Sequence, residues 1–151
     1  RNLSRGLGDV YKRQTDDLYA ILNLRQQVFV VEQDCPYLDA DYSDQDAFHL
    51  LGFENDILFA YLRAFPPNIK YDGSSMGRIV VSQENRNKSY GKEITKIGKF
   101  FLKEKYPGHE IIISAQHRLE NFYKELGFKS RGEVYLEDGI DHIQMYILPT
   151  E

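Results

Sequence analysis

The sequence predicts one mixed α/β domain, a central β-sheet flanked by helices, and three observations carry that expectation. Apolar residues recur at helical spacing in two long segments, around Leu18–Phe29 and Ile94–Leu102. Short strand-like segments lie between and after them, among them the fully apolar Ile111-Ile112-Ile113, as expected for the middle of a sheet. The order is helix, three strands, helix, strand, helix, two strands, with no repeat, linker or low-complexity tract to divide it. A chain of 151 residues fits one such domain.

Taken in order, Arg1 to Gln14 shows neither helical nor strand period and opens on Arg rather than Met. We read 1–14 as a leader foreign to the domain, or disordered, and 15–151 as the domain itself. Asp9 to Lys12 is the stretch of that leader able to pair as an edge strand. Thr15 and Asp16 suit a helix N-cap, and Leu18, Ile21, Leu22, Val28 and Phe29 give a first helix to about Val31. Gln33 to Gln45 carries Pro36 and several Asp, so a loop with one short helical piece is expected. His49–Phe53 and Ile57–Phe65 read as strands joined by the short turn Glu54-Asn55-Asp56.

Met76–Ser82 is a near-continuous apolar strand around Arg78. After a polar turn, Gly91 opens a long helix with Ile94, Ile97, Phe101 and Leu102 as its buried stripe, stopped at Pro107-Gly108. Leu119–Leu126 is a helix ended by Gly127 as its C′ residue. Val134–Leu136 and Ile140–Leu148 form a last hairpin around Glu137-Asp138-Gly139. In its second strand Ile143, Met145 and Ile147 alternate with His142, Gln144 and Tyr146, one face buried and one polar.

Charge is segregated. Eight acidic residues fall between Glu32 and Asp56 with no Lys or Arg, which suits a cationic partner. Arg86 to Tyr106 holds Arg86 and six Lys against Glu93 and Glu104, which suits phosphates or a solvated helix face. The single cysteine, Cys35, makes no internal disulfide and reads as a small buried hydrophobe. That agrees with a reducing compartment, and with no signal-like or membrane-length apolar run a cytoplasmic location is the default. One Cys and scattered His make no zinc set, so no metal is expected.

The chemistry concentrates in Met76–Ile97, where a buried strand runs through a turn into a helix N-terminus. Such a turn presents backbone N–H groups and a helix dipole to an anion. Gly91 allows close approach of a phosphate, and Arg86, Lys88 and Lys92 add positive charge. Arg86-Asn87-Lys88-Ser89-Tyr90-Gly91 resembles the pyrophosphate loop Arg/Gln-x-x-Gly-x-Gly/Ala of the GCN5-related N-acetyltransferase (GNAT) family, with Ser89 where the first Gly stands. Leu24-Arg25 with Val28-Phe29-Val30-Val31-Glu32-Gln33 is similar to that family's first-helix signature. Asn121-Phe122-Tyr123 with Leu126-Gly127-Phe128 is similar to its last helix and exit. With Cys35-Pro36-Tyr37, Asp39, Asp41 and Glu137–His142, the chain resembles the ElaA-like branch over Leu18 to Pro149. The family's first strand should precede Leu18, where only 1–14 stands, so that strand is expected to be missing or replaced.

The resemblance implies a single-domain GNAT fold and direct acetyl transfer from acetyl-CoA to a primary amine of a small molecule or protein, without metal. It implies that Arg86, Asn87, Lys88, Ser89, Tyr90, Gly91 and Lys92 hold the pyrophosphate, and that backbone groups of Ile79, Val80 and Val81 bond the pantetheine. A backbone N–H there, that of Val81, would polarise the thioester carbonyl. Asn121 would contact the pantetheine arm and Tyr123 would be the general acid. Glu32 is the candidate base; His49, His142, and Ser114, Gln116 and His117 after the apolar strand are further candidates near the substrate. The alternative is a non-catalytic acyl-CoA-binding sensor or interaction module, which Ser89 leaves open. A P-loop is excluded because Gly91-Lys92 is followed by Glu93. Nucleic acid is a poor partner for a chain of net charge −4, and a homodimer through the final hairpin is the one assembly suggested.

Overall fold

Residues 2–5 and 14–151 are described by a computed structural model of the chain. Seven strands form one hydrogen-bonded sheet. They are β1 (Asn2–Arg5), β2 (Phe48–Glu54), β3 (Ile57–Phe65), β4 (Ser74–Val81), β5 (Ile111–Gln116), β6 (Lys129–Glu137) and β7 (Ile140–Ile147), in the spatial order β1-β2-β3-β4-β5-β7-β6. The sheet is mixed, as expected: β1 runs antiparallel to β2, β4 parallel to β5, and β7 antiparallel to both β5 and β6. Asn2 pairs with Phe53 and Arg5 with Leu50; the edge pairing expected at Asp9–Lys12 lies outside the described residues. The helices are α1 (Gln14–Arg25), α2 (Tyr90–Lys105) and α3 (Glu120–Glu125).

Both short hairpin turns follow from their residues. Asn55 and Asp56, between β2 and β3, take φ of +52° and +64°; Asp138 and Gly139, between β6 and β7, take +53° and +76°. Two central residues at positive φ make the turn whose twist matches antiparallel strands, and Asn, Asp and Gly tolerate it best. The last hairpin is longer than its apolar residues indicate, because β6 reaches back to Lys129 through an irregularity between Arg131 and Tyr135.

The contacts group the chain into two compact units, residues 1–63 with 78–95 and residues 64–77 with 96–151. In the first, Ile21, Leu24 and Val28 pack with Leu51, Tyr61 and Val80. The first helix starts one residue before the expected cap and does not stay α-helical: Gln26–Glu32 is a π-helix. Its five-residue ladder continues past the end, with the amides of Gln33 and Cys35 donating to the carbonyls of Val28 and Val30 at 3.1 and 3.0 Å. Such segments are rare and gather at functional sites. Leu18, expected on the buried stripe, is 44% exposed, whereas Arg25 is fully buried.

In the second unit, Ile111–Ile113, Ala115, Leu126, Phe128, Ile143, Met145 and Ile147 are buried. The β4–β5 ladder pairs Ser74 with Ile111 and Ser75 with Ile112. Gly73 lets that ladder start, since a Cβ there would stand 2.5 Å from the Glu110 carbonyl oxygen. His142, expected on a polar face, is instead 7% exposed.

Candidate active site

The first unit carries the loop expected to bind an anion. β4 ends at Val81, a 3₁₀ turn covers Gln83–Asn85, and α2 begins at Tyr90. Arg86 is extended, and Asn87 and Ser89 take φ of +63° and +62°. Left-handed residues close together turn successive N–H groups toward one side, the geometry of an anion-binding nest. The first backbone bond closing α2 runs from the Glu93 amide to the Ser89 carbonyl at 3.0 Å. The amides of Tyr90, Gly91 and Lys92 therefore belong to the first turn, where N–H groups precede the helical ladder. Ser89 sits in the conformation a glycine adopts without strain, so the replacement keeps the backbone shape at a cost of about 1–2 kcal/mol. Gly91 is helical and takes no positive φ.

Arg86 has a partner within the protein. Its guanidinium is bonded to the Glu32 carboxylate, Nη2 to Oε1 at 2.8 Å and Nη1 to Oε2, and its Nε donates to the Val81 carbonyl at 3.2 Å. Its hydrogen bonds to Glu32 raise the guanidinium pKa. The charge expected to face phosphate is thus matched within the protein, and the carboxylate expected to act as base is its counter-ion. Lys88 and Lys92 remain as the loop's cationic residues outside that pair.

A second polar assembly underlies the loop after the π-helix. Arg25 donates from Nε to Asp39 Oδ2 at 2.8 Å, from Nη1 to Asp44 Oδ1 at 2.7 Å and from Nη2 to the Asp39 carbonyl at 3.1 Å. Arg63 bonds Asp41 through both terminal nitrogens, at 2.8 and 2.6 Å, and Asp44 at 2.9 Å. Arg78 reaches Asp39 Oδ1 at 2.7 Å and its carbonyl at 3.0 Å. Arg25 and Arg63 are 0% and 3% exposed. Burial opposes the charge of Asp44, but the bonds from Arg25 and Arg63 outweigh it and lower its pKa; the bond from Arg63 lowers that of Asp41 well below the carboxylate range. Three arginines meet three aspartates, so part of the acidic segment expected to attract a cation is neutralised from inside. Arg78 also holds φ +50° in mid-strand, a strained conformation anchored by its bonds to Asp39.

His49, a candidate base, belongs to this assembly. Its Nε2 lies 2.9 Å from the Asp44 carbonyl, which can only accept, so Nε2 carries the hydrogen. Nδ1 then accepts from the Tyr61 hydroxyl at 2.6 Å. Burial lowers the His49 pKa and raises that of Tyr61.

The second unit holds Tyr123 on α3. The Phe128 amide donates to the Tyr123 carbonyl at 3.1 Å and the Gly127 amide to that of Lys124 at 3.0 Å, with Gly127 at φ +96°. This is a Schellman cap, and its usual apolar contact is the edge-on pair Tyr123–Phe128, 5.8 Å between centroids. The cap thus fixes the phenol's direction. Tyr123 is 7% exposed, and burial pushes its pKa up to about 12, so it keeps its proton at neutral pH. Asn121 is exposed on the same helix. Of the other candidates, His117 faces Glu120 at 3.5 Å and Gln116 accepts from Arg118 at 3.0 Å. Ser114 joins Tyr135, Glu137 and His142 in one cluster.

Comparison with known proteins decides the family. The acetyltransferase (GNAT) domain matches residues 24–149. The chain belongs to the GNAT acetyltransferase family. It is 41% identical to protein ElaA of Escherichia coli over 130 residues, 85% of each chain. The crystal structure of E. coli ElaA superposes with a TM-score of 0.84, at 35% identity over 97% of this chain and 98% of that one. An acyl-CoA N-acyltransferase from Pseudomonas aeruginosa superposes with a TM-score of 0.87, at 34% identity over 97% and 98%. The fold is the GNAT fold, the chain is an ElaA-like member of the family, and it is an N-acetyltransferase. Among the described residues no helix is long and apolar enough to cross a membrane.

Proposed function

We propose that this GNAT member moves an acetyl group from acetyl-CoA directly to a primary amine. What supports the reading most is the loop 86–92, with two left-handed residues, two lysines and the start of α2. Its amides hold the pyrophosphate, with Lys88 and Lys92 supplying charge; Gly91 leaves room for it. Peptide groups of Ile79, Val80 and Val81, beyond the two β4–β5 register pairs, bond the pantetheine amides, and Asn121 contacts the same arm. The Val81 N–H donates to the thioester oxygen as it gains charge. Acetyl-CoA supplies an acyl carbon activated by a thiol leaving group. Tyr123 gives its proton to the departing sulfur, a task that suits a phenol protonated at neutral pH. Glu32 holds Arg86 against Val81 and so shapes the loop from behind; in this reading it is a positioning residue.

The test is thiol release from acetyl-CoA over a panel of primary amines, comparing the wild type with Tyr123→Phe. Turnover with at least one amine, and a kcat lowered about 100-fold in the variant with KM for acetyl-CoA unchanged, is expected. Equal activity of the two would remove Tyr123 from the reaction. A folded chain that binds acetyl-CoA yet turns over no amine is the result expected of a non-catalytic acyl-CoA-binding module.

A further inference from the structure

In the second unit, three strands bring a small polar cluster together. Ser114 on β5 hydrogen-bonds the Tyr135 hydroxyl on β6 and donates to Glu137 Oε1 at 3.1 Å. His142 on β7 stacks on Tyr135, 6.2 Å between centroids at 27°. Tyr71, from the loop between β3 and β4, interacts electrostatically with Tyr135 and Glu137.

The imidazole's hydrogen bonds fix its tautomer. Nδ1 lies 2.7 Å from the Ile140 carbonyl, which only accepts, so Nδ1 carries a hydrogen. In the neutral ring Nε2 is then a bare lone pair. Facing it at 3.6 Å is Glu137 Oε2, also an acceptor. That gap is too long for a direct hydrogen bond. It is short enough for one donor nitrogen to sit about 2.8 Å from both. Two acceptors so placed call for a donor between them. The His142 side chain is 9% exposed, whereas that of Glu137 is 45% exposed, so the approach runs over the carboxylate.

We infer that Glu137 and His142 form the acceptor site: Glu137 binds an alkylammonium, and His142 Nε2 removes its proton. The inference rests on the acetyl-transfer reading for its chemistry, but not for the binding. The ammonium loses one N–H proton to Nε2, and the resulting imidazolium is held by Glu137. The freed lone pair forms the N–C bond as the C–S bond breaks with its electron pair on sulfur. The nitrogen's second proton passes through water to the Tyr123 oxygen, replacing the one Tyr123 gives to sulfur, and His142 returns its own to solvent past Glu137. The charged and titratable groups around His142 are Glu137 and Tyr135 on β6 and Asp141 beside it on β7; Gln116 pairs with it from β5, and Tyr71 interacts with Tyr135 and Glu137. Glu137 Oε2 thus faces Nε2 across 3.6 Å.

The test is NMR of histidine-labelled full-length chain titrated with n-butylammonium, without acetyl-CoA. A saturable shift of the His142 ring is expected, with His49, His109 and His117 unmoved, and Glu137→Gln should weaken it about tenfold or more. Ser114 donates equally well to a glutamine oxygen, so that variant keeps its fold. With acetyl-CoA present, His142→Asn, which preserves the donor to Ile140, should lower kcat/KM for the amine about 100-fold and leave the KM for acetyl-CoA unchanged. No shift at His142, or the same shift in Glu137→Gln, overturns the inference even if calorimetry shows acetyl-CoA binding. A shift at His142 in a chain that fails to bind acetyl-CoA sustains the ammonium site and overturns the acetyl-transfer reading instead.

Discussion

The two polar clusters differ in how their charges are met. In the first unit every member has a partner of opposite kind: Arg25, Arg63 and Arg78 divide Asp39, Asp41 and Asp44 among them in bonds of 2.6–3.1 Å. In the second, Glu137 and His142 face one another as two acceptors across 3.6 Å. A closed cluster cannot take up a ligand without leaving a buried charge alone, so its work is structural. A cluster lacking a donor is completed by one from outside, so its work is recognition. Variants in the first should therefore move stability, and variants in the second should move binding and rate.

The largest effect is expected from Arg25→Met. It leaves Asp39 and Asp44 short of their shared buried partner, which typically costs about 3–5 kcal/mol. Thermal unfolding should fall by roughly 6–20 °C for a chain of this size, whereas Glu137→Gln should leave the midpoint near wild type. A similar loss in both would erase the distinction between the clusters.

Next in size is the pH dependence of the closed cluster. His49 has a lowered folded pKa, so between about pH 6.5 and that value the unfolded chain binds the extra proton, and stability falls as pH falls. Asp41 and Asp44 are lowered as well; their contribution is full above about pH 4, the unfolded value, and is lost below it. The midpoint should therefore fall in two stages on acidification. His49→Gln should remove only the upper stage, as followed by melting at pH 4 to 8. A midpoint flat from pH 7 to 5 in the wild type would contradict this.

Much of this was legible beforehand. Turn chemistry and apolar spacing located nearly every element, and Ile57–Phe65 falls where β3 does. The loop 86–92, Tyr123 and the Gly127 cap were recognisable as short motifs. The destination of the arginines was not. Arg25 and Arg78 stand in stripes otherwise read as buried, and a buried arginine demands a carboxylate. The Lys- and Arg-free acidic segment is where those carboxylates had to come from; read along the chain, it resembled an open acidic surface. The π-helix left no comparable trace, since Gln26–Glu32 has ordinary helical spacing. The Glu32–Arg86 pair spans 54 positions, beyond the reach of any local pattern.

Smaller effects sharpen the comparison at single backbone positions. Gly127→Ala forces a side chain to φ +96° and should cost about 1–2 kcal/mol while misdirecting Tyr123, so stability and kcat fall together. Ser89→Gly relieves the same kind of strain in the loop 86–92 and should raise stability by up to about 1 kcal/mol without weakening acetyl-CoA binding. Chemical denaturation of the two variants, with opposite signs, checks both.

The central claim is that the loop 86–92 binds the pyrophosphate of acetyl-CoA, and calorimetric titration of the folded chain tests it most directly. Saturable binding of acetyl-CoA and of CoA, weaker for ATP and strongly weakened by Gly91→Leu, is the expected result. Undiminished binding in Gly91→Leu, or none in the folded wild type, would contradict it.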